Sequence, residues 1–415
     1  MGQPSYADAR AATKGQSAPL AFGLGVFWLA VILSGLISWS FRYMTANIYY
    51  IFIGTFMPYF LALRLPRVAW LASRPQFWLW LLTALVPTVL VVMGASDVWG
   101  NEIMKQRVIF FSFVAGSALV LVAPDAKRML QVAALIVLAF AIPICFVELV
   151  TGSIFSVTEG RAAGLYGNAN DAAEALLLCL LFAIDLRRTT IGGLLLAAAT
   201  TAAVFTTFSR GGMVFAVGLF ILYAFAPQPG GRGNGGQRIA VLGLIAVIAA
   251  VAIFWLSRNI DLSDEAAMRL QSILTGNVSD ASTAGRVMKA KRALQVVEEH
   301  FWGSGLGFAD RHGLEPHNTF LYLAIDYGIP GLVFYATILL AALGSGLRAG
   351  WRRGANAIMI ALLLIWSSLF THYVAGTGFF SIAFACFISG SLIAPREEEV
   401  RAGNVRPDRE PFPGR

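Results

Sequence analysis

The stretch QVAALIVLAFAIPICFVELV (131–150) decides how the whole chain is read, because only Gln131 and Glu148 interrupt its apolar character. As a helix it rises about 30 Å, the thickness of a bilayer's hydrocarbon core. Runs of the same kind recur near 19–38, 46–63, 77–94, 108–123, 129–150, 171–186, 190–207, 211–226, 238–257, 318–344, 353–371 and 374–394. With 57% hydrophobic and only 13% charged residues, the chain is far too apolar for a soluble domain. The expected fold is an all-α polytopic membrane protein of about 12 transmembrane helices. The DLRRTT connection between the sixth and seventh spans is the least defined boundary.

The polar segment 1–18 precedes a long run without a small-residue cleavage site, so the first span reads as an uncleaved signal anchor. Spans one to nine then occupy 19–257, a long loop 258–317, spans ten to twelve 318–394, and a polar, proline-bearing tail 395–415. That tail is expected to be disordered and the PQPGGRGNGGQR segment to be a flexible linker. Lys and Arg orient the chain by the positive-inside rule. A cytoplasmic N-terminus places Arg64, Arg67, Lys127, Arg128, Arg187, Arg188, Arg348, Arg352 and Arg353 inside. The short outside connections keep only Arg42, Lys105, Arg107, Arg161 and Arg210. Both termini are thus cytoplasmic, and the formal charge of +8 follows from topology and lipid headgroups and requires no nucleic acid. Cys145, Cys179 and Cys386 lie inside apolar runs, as small hydrophobes and not as disulfide or metal partners.

Chemistry is expected on the outside face. A loop as long as 258–317 is functional when ordered. Its LSDEAAMRLQSILTGN part opens at a good helix start, and its GRVMKAKRALQVVEEHFWGSGLGF part spaces Val287, Ala290, Leu294, Val297 and Phe301 as one amphipathic face. That helix lies on the membrane or on the bundle, with Lys289, Lys291 and Arg292 as ordinary interfacial anchors. Arg286 differs, because it begins the helix, where a cation opposes the macrodipole. Arg161 lies in a Gly/Asn-rich segment where Asn170 can cap the sixth span, with Asp171 and Glu174 in its first turn. Arg210 lies in the short TTFSRGGMVF turn. Each arginine alone could be a snorkelling anchor. Several converging guanidinium forks suit phosphate oxygens, so a lipid-linked diphosphate is the expected ligand.

All four histidines, His300, His312, His317 and His372, fall outside. His317, at the start of the tenth span, can accept a proton from an attacking hydroxyl, and Asn318 beside it can cap the helix or donate to substrate. Asp326 lies nine residues on, about half a turn round and roughly 13 Å deeper, so it does not orient His317. The sequence has no HExxH, CxxC set, DxD pair or Walker loop, and thus no handle for a metal, a nucleotide or another cofactor.

GRAAGLYGNANDAAEALL, FSRGGMVFA, GRVMKAKRALQVVEEHFWGSGLGF and HNTFLYLAIDYGIPGLVFY, in that order over roughly 158–340, resemble the O-antigen ligase family. O-antigen polymerases and protein O-oligosaccharyltransferases share the same region. The resemblance implies a GT-C-like glycosyltransferase of the bacterial inner membrane with a periplasmic active site. It would move a glycan from undecaprenyl diphosphate to lipid A-core without a nucleotide sugar or a metal. It further implies that His317 is the general base and that Arg161, Arg210 and Arg286 bind the donor diphosphate. Asn318 and Asp326 match the closing motif in a structural or catalytic capacity. A diphosphate leaving group needs charge stabilisation more than a proton, whereas a sugar hydroxyl needs a base. One base and no carboxylate nucleophile point to inversion. A flippase or transporter is the contrasting reading, but the spans are nearly free of charge, with Glu148 and Asp326 the main exceptions, and no broken helices recur in two halves.

Overall fold

The computed structural model describes residues 18–37, 48–73, 75, 77–79, 81, 98–151, 154–157, 160–226, 243, 281–314, 316–371, 374 and 377–393. Every regular element among them is helical. They comprise α1 (Ala18–Leu33), α2 (Ile48–Ala72), α3 (Val98–Leu121), α4 (Ala126–Thr151), α5 (Ala169–Ala183), α6 (Ile191–Thr206) and α7 (Arg210–Phe225). After them come α8 (Ala281–Glu299), the one-turn α9 (Phe308–Arg311), α10 (Thr319–Ala349), α11 (Trp351–Phe370) and α12 (Gly378–Ser389). Three of them, Ala126–Thr151, Thr319–Ala349 and Trp351–Phe370, are long and apolar enough to cross a membrane. The runs expected at 77–94 and 238–257, and the first part of the long loop, fall largely or wholly outside the described residues.

α5 is the centre of the bundle. Its residues Ala172 to Ala183 are buried on every side, which is what a helix apolar all round requires. α4, α6, α7 and α11 pack around it, α3 pairs with α12 and α1 with α4, and α10 runs beside α11. Outward faces stay apolar, as with Val333, Leu340 and Leu347 along α10 and Val214, Ile221 and Phe225 along α7. Such stripes are liabilities in water and the normal surface of a helix in lipid. Trp28 is fully buried on α1, stacked on Phe52 at 4.6 Å, and donates its indole N–H to Ser117 Oγ at 3.0 Å.

At one end of the bundle the last carbonyls of α5 find side-chain donors. Asn356 Nδ2 donates to Leu181 O at 2.6 Å and to Ile184 O at 2.7 Å, and Gln131 Nε2 donates to Ala183 O at 2.9 Å. Asp185 pairs there with Arg187 at 2.6 Å and lies 3.8 Å from Lys127. Burial works against its charge, but the Arg187 hydrogen bonds and the charges of Arg187 and Lys127 outweigh that and hold its carboxyl below the ordinary carboxylate range. Arg187 also reaches Arg352 O, so Lys127, Arg187 and Arg352, three of the basic residues expected inside, meet at this end.

α10 is broken at Gly328, whose φ of 71° and ψ of −173° suit glycine alone. The break deprives Ile325 O of its normal donor, Ile329 N, and Asp326 O faces Pro330, which has no N–H. The segment after α8 replaces these bonds. Ser304 N donates to Ile325 O at 2.7 Å, Gly305 N donates to Asp326 O at 3.2 Å, and Ile329 N donates to Phe301 O at 3.0 Å. Gly303 and Gly328 meet backbone to backbone here, with no room for a Cβ at either position.

Candidate functional site

The opposite end of the bundle collects the candidate residues. Arg161 is held by its side chain and by its neighbour. Its Nε donates to Thr207 O at 2.8 Å, its Nη2 donates to Asn170 Oδ1 at 2.8 Å, and Ala162 N donates to Thr206 O at 3.1 Å. The cap of α5 is not Asn170, as expected, but Asn168, whose side chain accepts from Asn170 N at 2.9 Å. This frees the Asn170 side chain for Arg161. Asp171 is in the first turn, whereas Glu174 lies deeper, buried, with the Thr371 hydroxyl donating to its Oε1.

The turn that Arg161 grips is the one that presents Arg210. Phe208 sits in the left-handed region at φ 48°, which costs a non-glycine residue roughly 1–2 kcal/mol. Ser209 then caps α7 by accepting from Gly212 N, and Arg210 opens the helix, exposed, where the macrodipole also favours an anion. The start of α7 lies against the end of α11, since Trp366 Nε1 donates to Gly211 O at 3.0 Å.

His317 directly precedes α10 and is half-buried. Asn318 caps that helix, accepting from Leu321 N at 3.0 Å, while its Nδ2 reaches Leu369 O at 3.5 Å. Its amide is thereby given over to structure at both ends. Thr319 Oγ1 donates to Thr371 O at 3.0 Å and accepts from Val374 N at 3.1 Å, so the backbone beside His317 is pinned to the end of α11. Trp366 and Leu369, which receive the start of α7 and the Asn318 amide, are three residues apart, about 4.5 Å along one helix. The structure thus brings Arg161, Arg210 and His317 to one end of the bundle around α11.

Arg286 lies on α8, exposed. It does not begin that helix, which starts at Ala281, so its cation is past the first turn and the expected conflict with the macrodipole is relaxed. The buried face also differs from expectation. α8 packs through Ala293, Val296 and Val297 against Ala309, Leu314, Tyr322 and Ile325, whereas Val287, Leu294 and Phe301 are exposed. α8 is therefore docked on the first half of α10, the half that begins beside His317.

Asp326 belongs to this docking and not to His317. Its Oδ2 accepts from Gly307 N at 3.0 Å and its Oδ1 from Ala309 N at 3.4 Å, which caps α9 from across the chain, with the Arg107 charge in electrostatic reach. Tyr322 donates to Asp310 Oδ2, tying α9 to α10 a second time. His312 is stacked on Phe308 at 3.9 Å, its Nδ1 paired with Phe308 O at 3.0 Å, and His300 is exposed at the end of α8. His372 lies outside the described residues. Among the described residues no three His, Cys, Asp or Glu side chains are grouped to hold a metal ion.

No curated protein matches the chain. Residues 193–336 match the model of the O-antigen ligase family, a segment running from α6 into α10 that contains Arg210, Arg286, His317, Asn318 and Asp326 but not Arg161. Over 193–336, about a third of its length, the chain is therefore similar to the O-antigen ligase family.

Proposed function

We propose that this chain is an O-antigen ligase, which moves O-antigen polysaccharide from undecaprenyl diphosphate to a sugar hydroxyl of lipid A-core and so completes lipopolysaccharide. The observation that carries the reading is the convergence on α11 of the Arg161–Arg210 turn and the His317–Asn318 pair. The reaction needs two services at one place. A base must take the acceptor proton, and cations must receive the charge that develops on the departing diphosphate. In this reading His317 takes the proton while the acceptor oxygen bonds to the anomeric carbon. The bond to the diphosphate breaks with its electron pair, Arg161, Arg210 and Arg286 stabilise the leaving oxygens, and the centre inverts. Asn318 sets the start of α10 and thereby the place of the histidine. The reading includes about twelve spans, both termini in the cytoplasm and the His317 end in the periplasm of a bacterial inner membrane.

Reconstitution in vesicles with undecaprenyl diphosphate glycan and lipid A-core tests the proposal. Glycan appearing on lipid A-core supports the ligase. Glycan chains growing on the lipid carrier would make the protein a polymerase, and transfer only to an added polypeptide would make it a protein O-oligosaccharyltransferase. Movement of the donor without transfer would overturn enzyme and base together. In the same assay His317→Ala is expected to abolish transfer without lowering the amount of protein in the membrane, and wild-type transfer by that variant would remove His317 from the chemistry.

A further inference from the structure

Glu148 is one of the few charges in the apolar runs, and the bond-taking and proton-taking groups of the proposed reaction do not include it. It sits near the end of α4 and is only 2% exposed. A carboxylate that deep costs several kcal/mol unless its oxygens are satisfied. Four backbone N–H groups satisfy them. Oε1 accepts from Phe155 N at 2.9 Å and Ser156 N at 2.6 Å, and Oε2 accepts from Ala163 N at 2.8 Å and Gly164 N at 2.7 Å. One side chain therefore gathers two separate stretches of the loop that follows α4, and Arg161 lies between them.

The geometry limits what Arg161 can do. On its C-terminal side the chain is fixed at Ala162 by Thr206 O and at Ala163 and Gly164 by Glu148, and Ala162 and Ala163 are fully buried. Tyr166, just beyond, donates its hydroxyl to Leu33 O at 2.7 Å and wedges the loop against α1. The guanidinium is then aimed by Thr207 O and Asn170 Oδ1. We infer that Glu148 is a positioning residue for the donor diphosphate, holding residues 155–156 and 163–164 so that Arg161 stands beside the turn that presents Arg210. This rests on the reading of Arg161 as a diphosphate ligand.

Glutamine is an informative replacement. It has the same shape, but its one carbonyl oxygen can accept for one pair of N–H groups only, and its NH₂ would face the other pair, donor against donor. Aspartate keeps the charge and draws it back by one methylene. The test measures kcat and both KM values of the full-length protein in vesicles for Glu148→Gln, Glu148→Asp, Arg161→Ala and Glu148→Gln/Arg161→Ala. Glu148→Gln is expected to raise donor KM about tenfold and leave acceptor KM unchanged, with Glu148→Asp partly restored. In the Arg161→Ala background Glu148→Gln should add nothing further, because its effect passes through that arginine. A full additional loss there, or a fall in kcat with both KM values unchanged, would overturn the positioning role while leaving Arg161 as a ligand. A wild-type donor KM for Arg161→Ala would instead overturn the reading of Arg161, and the positioning role with it. Should Glu148→Gln not accumulate, Glu148→Asp in the two backgrounds completes the same cycle.

Discussion

Replacing Gly328 by alanine tests how the loop that leads to His317 is anchored. The backbone there has φ 71° and ψ −173°, which costs a residue with a Cβ roughly 1–3 kcal/mol before any contact is counted. The added carbon would also overlap Phe301 O and the Trp302 carbonyl carbon and come within 2.6 Å of Gly303 N, all of it backbone that cannot rotate away. Relief requires the 301–305 segment to lift off α10. That breaks the bonds from Ser304 N to Ile325 O, from Gly305 N to Asp326 O and from Ile329 N to Phe301 O. At about 1 kcal/mol for each, with strain added, the cost is roughly 4–6 kcal/mol. This is enough to open the loop locally while the rest of the bundle stays folded. Hydrogen exchange in vesicles should show the amides of Ser304, Gly305 and Ile329 unprotected in Gly328→Ala, with α5 and α11 protected as in the wild type, and transfer should be lost. Wild-type protection at those three amides, or full activity alongside their exposure, would refute the argument that the broken helix holds the loop and the loop supports the site.

Further outcomes follow from the same contacts. In the proposed reaction Arg210→Ala removes a charged partner of the diphosphate and should weaken donor binding roughly ten- to a hundredfold; unchanged labelling by a lipid-diphosphate analogue would count against it. Asp326→Asn leaves one acceptor for the N–H groups of Gly307 and Ala309 and should destabilise the protein by about 1–3 kcal/mol, read as a lower melting temperature in detergent. A normal melting temperature with activity gone would move Asp326 from scaffold to chemistry.

Much of this architecture is legible in the chain because membrane helices announce themselves by length and polarity. The runs at 129–150, 318–344 and 353–371 correspond to α4, α10 and α11 within a few residues. Two of the buried carboxylates, Glu148 and Asp326, stand out in the sequence for the same reason, and Asp326 is already separated from His317 by helical geometry. Their task is not legible, since the N–H groups that Glu148 collects come from backbone that returns after seven to sixteen residues, with no side-chain signature. The sequence reading puts the cap of α5 at Asn170, but Asn168 suits a helix start equally well, and the demand of Arg161 on Asn170 decides it. The face of α8 is partly legible: Val297 packs as expected, but small Ala293 is the fully buried contact, whereas hydrophobic size favours Val287 and Leu294, which are exposed. Arg286 changed meaning with the start of its helix, the kind of boundary that periodicity locates least well.

The break in α10 also bears on how the protein enters its membrane. A segment whose Ile325 and Asp326 carbonyls have no donor within their own helix cannot rest alone in hydrocarbon, where each unpaired group costs several kcal/mol. The donors lie some twenty residues earlier in the chain, so they leave the ribosome first and are waiting when α10 arrives. The 301–307 stretch is then an insertion partner for the helix that follows it. Fused to a glycosylation-mapped insertion reporter, residues 300–349 should integrate more completely than 319–349, and equal integration would show that α10 needs no such help.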